Sequence, residues 1–190
     1  MASAFKKNHD PAYRHRRLFG RRAALCYRTI CEEGAHALGA YEHPQVTLHT
    51  PPLARHVECL KAGDLAGVAE LMLASAHKLA AAGADFLICP DNTIHQAFEL
   101  MAPRAPLPWL HIADVVAGEA AERGCRRVGL TGTCWLVDSA VYPCSEINRI
   151  LMEALVQGVV RPYSVARFQA IIGGLQEQGC DAALRRALAA

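Results

Sequence analysis

The sequence lacks an apolar run of the roughly 18 residues that a membrane-spanning helix needs. Its richest stretch, from Leu65 to about residue 90, is broken by Glu70, His77, Lys78 and Asp85. It lacks a strong charge of either sign: 20 Lys and Arg stand against 18 Asp and Glu, a net charge of +2. Binding to nucleic acid through overall basicity is therefore not expected, nor is a membrane partner. It lacks cysteine pairs at CxxC spacing. The 8 cysteines, at 26, 31, 59, 89, 125, 134, 144 and 180, match no zinc pattern. It lacks an apolar core behind its basic start, which argues against a secretory signal. Reduced thiols, mostly acting as small buried hydrophobes, and a cytoplasmic location are the expectation. Internal repeats and low-complexity linkers are also missing.

What is there suits a packed α/β protein. The 190 residues make one average domain or two small ones. Hydrophobic residues are 52% and charged residues 20%, enough for a core. Lys6, Lys7, Arg14, Arg16, Arg17, Arg21 and Arg22 crowd the start, opposed only by Asp10. Residues 1–20 read as a basic leader, either solvated and disordered or an organelle transit peptide. With only Tyr13 and Phe19 nearby, they make a poor platform for single-stranded nucleic acid.

Beyond that leader, helices and strands alternate. Residues 23–38 are predicted helical, with Leu25, Ile30 and Leu38 on apolar faces and Gly39 near the stop. Residues 45–49 (QVTLH) form a β-rich run ended by Pro51-Pro52. A long helix spans 64–82, with Asp64 as N-cap and Gly83 as its stop. Strands are predicted at 84–89, 107–112 and 127–131. Helices follow at 93–101, 113–123, 134–141, 145–157 and 165–178. Strands separated by helices imply a parallel sheet flanked by helices, and such sheets bind ligands at the carboxyl ends of their strands.

Two strand ends carry chemistry. ADFLIC runs into Pro90-Asp91-Asn92-Thr93-Ile94-His95. Asp91 or Asn92 as a helix cap explains one or two of these polar residues. Helix-start amides with Asn and Thr donors would equally cradle a carboxylate. RVGLT runs into Gly132-Thr133-Cys134, where Thr131, Gly132 and Thr133 make a second, individually weak, cradle. Two cradles suggest a ligand carboxylate held between two sheets.

GADFLICPDNTIHQAFEL, PLPWLHIADVV and RRVGLTGT together resemble the aspartate/glutamate racemase family. ALCYRTICEEGAHALGAYEHPQVTLHT is similar to the family's first helix and second strand, and FQAIIGGLQEQGCD to its last helix. The resemblance covers residues 21–143 and 146–181. It implies two α/β lobes, a substrate between them, a homodimer, and no pyridoxal phosphate or metal. It also implies two acid/base groups, typically cysteines, on opposite faces of the substrate α-carbon. An α-proton is very weakly acidic, so dense donors must stabilise the carbanion and each base must lie within hydrogen-bond reach.

The family's first cysteine position is occupied here by Asp91. A carboxylate can carry a proton, and burial is what would let it act as an acid. Cys89, two residues earlier, is the alternative thiol, and a third reading assigns neither. The second cysteine position falls near Ala187, and its Gly-Cys-Thr-Glu motif is absent. Cys134 and Cys144 are spare thiols nearby. A strand and helix expected between Pro143 and Glu146 are missing, so the second lobe is expected to be truncated. The first lobe is expected over 21–112 and the shortened second lobe over 113–190. His95 stands one turn from Asp91, to orient it or to pack, and His111 reads as a core or supporting histidine. Trp109 and Trp135 read as packing residues. The expected function is pyridoxal-independent proton removal and return at the α-carbon of aspartate or glutamate. The alternative is an inactive remnant that binds a small carboxylate or a protein partner.

Overall fold

The computed structural model describes residues 18–137, 144–155 and 159–183. Residues 1–17 of the expected leader and residues 138–141 of the expected helix at 134–141 lie outside them. Helix α1 spans Leu18–Leu38, starting before the predicted residue 23. Arginines are good helix formers, so the basic stretch does not delay the helix. Gly34 is buried, and a Cβ there would meet His43 Cβ at 2.9 Å and Pro44 Cδ at 3.0 Å. A glycine at this point lets the chain after α1 fold back closely against it.

The predicted strand at 45–49 is not a strand; residues 42–52 have no regular structure. Among the described residues this β-rich segment has no partner strand, and an isolated extended segment gains nothing from propensity alone. Helix α2, Leu53–Ala62, follows and was not predicted. It ends at Gly63, whose φ of 67° is a left-handed conformation that suits glycine. Helix α3 spans Leu65–Ala81, and the Asp64 carboxylate accepts from the Gly67 amide at 2.7 Å, as the N-cap reading requires. Its buried face is Val68, Ala69, Met72, Leu73 and Ala76. Burying a side chain of Leu or Met size contributes about 1.5–3 kcal/mol.

Strands β1, Leu87–Ile88, and β2, Trp109–Leu110, pair in parallel with Leu87 opposite Trp109. Between them lie a 3-10 turn at Thr93–Ala97 and a short helix α4, Phe98–Met101, where one continuous helix was expected. Helix α5 spans Ile112–Glu122. Strands β3, Val128–Gly129, and β4, Ala182–Ala183, form a second parallel pair. Between these strands lie helices α6, Cys144–Glu153, and α7, Pro162–Glu177. Strand β4 was not predicted. It is tied down by Asp181, whose carboxylate accepts from the Arg126 and Arg127 amides at 2.6 and 3.0 Å. Where a helix was expected from residue 134, Cys134–Leu136 is a turn.

The class is α/β, with parallel strands flanked by helices. The strands form two separate pairs among the described residues, each strand shorter than its apolar run. Each pair has its own core. Met72, Leu73, Ile94 and Met101 anchor the first, and Ile147, Phe168, Ile171 and Leu175 the second. Gly129 is buried, and a Cβ on it would meet Leu175 Cδ1 at 3.0 Å, so the glycine lets α7 lie close to β3.

Candidate active site

Strand β1 delivers Asp91 to a buried loop, where the residue is 6% exposed. One carboxylate oxygen, Oδ1, accepts from the Thr93 amide at 2.9 Å. Asp91 thus closes a side-chain turn onto the first residue of the 3-10 segment, while Asn92, at the N-cap position, makes no side-chain capping bond. The other oxygen, Oδ2, accepts from Arg22 Nη1 at 2.6 Å. The Asp91 carbonyl accepts from His95 Nδ1–H at 2.6 Å. A carbonyl can only accept, so this bond fixes the proton on Nδ1. His95 thus holds the Asp91 backbone rather than its carboxylate. The His95 ring in turn packs edge-on against His111, with centroids 5.0 Å apart, and His111 packs on Phe98 at 4.5 Å.

The two predicted strand ends meet. Thr93 Oγ1 and Thr133 Oγ1 lie 3.1 Å apart, both side chains buried, and share a hydroxyl proton. A cavity of about 320 Å³ opens beside this contact. Asn92, Thr93, Thr131, Gly132 and Thr133 all line it, so every predicted binding residue reaches one space. Helix α1 supplies another wall through Arg22, Leu25, Cys26, Thr29 and Ile30. Those positions recur at helical spacing and so share one face. Leu151 and Phe168 close the side toward the second core.

The geometry around these residues departs from the expectation at two points. After both strands the chain forms a short turn in place of the expected α-helix start. After Asp91 comes only the five-residue 3-10 turn. After Thr133, the amides of Leu136 and Val137 are bonded to the Thr133 carbonyl at 2.9 and 3.1 Å. The side chains that bring donors to the smaller cavity are Asn92, Thr93, Thr131, Thr133 and Arg22. Asp91, moreover, lines not the smaller cavity but a larger one of about 610 Å³. Arg22, Cys26, Ile30 and Pro90 line both. Cys89 is half-buried, packs against the first core and borders the larger cavity. Cys134 is exposed and Cys180 packs on the second core. The Cys144 side chain lies outside the described residues.

Three residues escaped the sequence reading. Arg22 was counted only within a basic run. Cys26 was one thiol among eight. His56 sits on the unpredicted α2, is 2% exposed and borders the larger cavity with Asp91. Burial pushes its imidazole below the ordinary 6.5, while the Asp91 charge and a bond to the Pro52 backbone pull it back up. Among the described residues, no three His, Cys, Asp or Glu stand together as a metal site, and no helix is long and apolar enough to cross a membrane.

A buried carboxylate held by a guanidinium, hydroxyl and amide side chains from two strand ends, and a thiol thus surround two adjoining cavities. Residues 23–184 match the sequence pattern of the Asp/Glu/Hydantoin racemase family. The chain belongs to that family. Its fold is similar to that of a candidate Asp/Glu racemase from Yersinia pestis, with a TM-score of 0.73 and 24% identity over 86% of this chain and 79% of that one. It is also similar to an aspartate racemase homologue from Pyrococcus horikoshii OT3, with a TM-score of 0.66 and 20% identity over the same shares.

Proposed function

We propose that this chain moves the α-proton of a small acidic amino acid such as aspartate or glutamate, without pyridoxal phosphate or a metal. Family membership supports racemase-type chemistry, and the site supports the particulars. The observation that carries the reading is the Thr93–Thr133 hydroxyl contact at 3.1 Å, which joins the two strand ends around one cavity. Its volume of about 320 Å³ falls at the small end of ligand pockets. Asn92, Thr93, Thr131 and Thr133 bring side-chain donors to that space, where they would hold a carboxylate and the charge that develops as the α-proton leaves. Asp91 is the proton carrier in this reading, reached from the threonine-lined cavity past Arg22, since it lines the adjoining larger one. His95 and the Thr93 amide fix its position.

A second reading has its own observation. Arg22 engages Asp91 Oδ2 at 2.6 Å, so the guanidinium competes with a substrate proton for that oxygen. A protein that binds a small carboxylate without turning it over would look the same at rest. The two separate in D2O with L-aspartate and L-glutamate. Loss of the substrate α-proton signal supports proton transfer, and appearance of the D-isomer supports racemisation. A folded protein that binds the amino acid without exchange supports the binder.

A further inference from the structure

Arg22 is the hinge between the two cavities. It lines both, and it stands between Asp91 and the threonine-lined space. The ion pair it makes is asymmetric: the Asp91 side chain is 8% exposed and the Arg22 side chain 37%. The carboxylate is enclosed and fixed by the Thr93 amide, so the guanidinium is the partner with room to turn. A guanidinium fork binds one carboxylate as well as another. A ligand carboxylate entering the smaller cavity can therefore compete for Arg22, and the cost of the exchange is an enclosed Asp91 carboxylate that keeps the Thr93 amide. A neutral group at the same place would leave the arginine with Asp91.

We propose that Arg22 is the specificity-determining residue of the site. It receives a second carboxylate of the ligand and, in doing so, leaves Asp91 Oδ2 open. The first carboxylate goes to the Asn92, Thr93, Thr131 and Thr133 donors. A dicarboxylate thus satisfies both ends of the cavity and uncovers the base in one event, whereas a monocarboxylate does only the first. The proposal rests on the reading of this cavity as the ligand site and does not require turnover.

Succinate is the probe, since it carries two carboxylates and no amino group. The full chain is titrated with succinate and with propionate while the Arg22 Nε–H resonance is followed, identified by its loss in Arg22→Lys. Succinate is expected to shift that resonance and to bind at least about tenfold more tightly than propionate. Arg22→Gln is expected to lower succinate affinity at least about tenfold and to bring the two ligands level. Unchanged succinate affinity in folded Arg22→Gln, an unmoved Arg22 resonance, or no succinate binding to the wild-type chain overturns the proposal. If Arg22→Gln fails to fold, the wild-type resonance and the Arg22→Lys affinities decide. Succinate binding as described, with no α-proton exchange on aspartate, overturns the catalytic reading and leaves the Arg22 assignment standing.

Discussion

Arg22 and Asp91 are 69 positions apart in the chain and 2.6 Å apart in the fold. That pairing ties α1 to the loop after β1, where Arg22 lines both cavities and Asp91 the larger one. It makes the first helix part of the site rather than an appendage.

Asp91→Asn tests the assigned proton carrier. The amide oxygen can still accept from the Thr93 amide, so the loop is expected to keep its shape. Exchange of the substrate α-proton is expected to fall at least about 100-fold, the usual contribution of a positioned acid/base group. NMR of L-aspartate in D2O measures it. Unchanged exchange in the variant removes Asp91 from the mechanism.

His56 reports on the same carboxylate from the other side. Its imidazole is expected to titrate below 6.5, with burial as the main cause. Asp91→Asn removes an opposing charge and is expected to lower the value further. The linkage has a definite sign. A base whose folded value is depressed favours folding above its unfolded value near 6.5 and loses that contribution as pH falls through the folded value. Histidine ring NMR across pH 4–8, run on both proteins, checks the direction. A rise in the variant would contradict the charge relation.

The Thr93–Thr133 contact joins the two halves of the site. Replacing either threonine by valine removes one hydroxyl and leaves the other buried without this partner. The double-mutant cycle on unfolding stability is expected to show a coupling of about 1 kcal/mol. KM for the amino acid should rise in both single variants, because both residues line the cavity. Additive effects would mean that the two strand ends are held together by something else.

Much of this was legible in the residues, and the reasons are local. Asp64 before an apolar helical period signals a cap, and the fold places its carboxylate on the Gly67 amide. The PDNTIH and TGT runs are dense enough to mark strand ends, and both reach one cavity. What was not legible depends on distant partners. Gln45–His49 has strand composition but, among the described residues, no neighbour strand to pair with. Helix α2 was hidden behind Pro51-Pro52, although Leu53, Val57 and Leu60 repeat at helical spacing. Arg22 carried no local mark, because its meaning comes from a residue far along the chain. The strands came out shorter than their apolar runs because pairing, not hydrophobicity, sets where a ladder ends.

The most direct measurement is one proton NMR series of the purified chain in D2O with L-aspartate. Methyl dispersion establishes that the protein is folded, and the substrate α-proton signal reports the chemistry. The account predicts that this signal decays with time and decays much more slowly with Asp91→Asn. A well-dispersed protein spectrum beside an α-proton signal that never decays would contradict it.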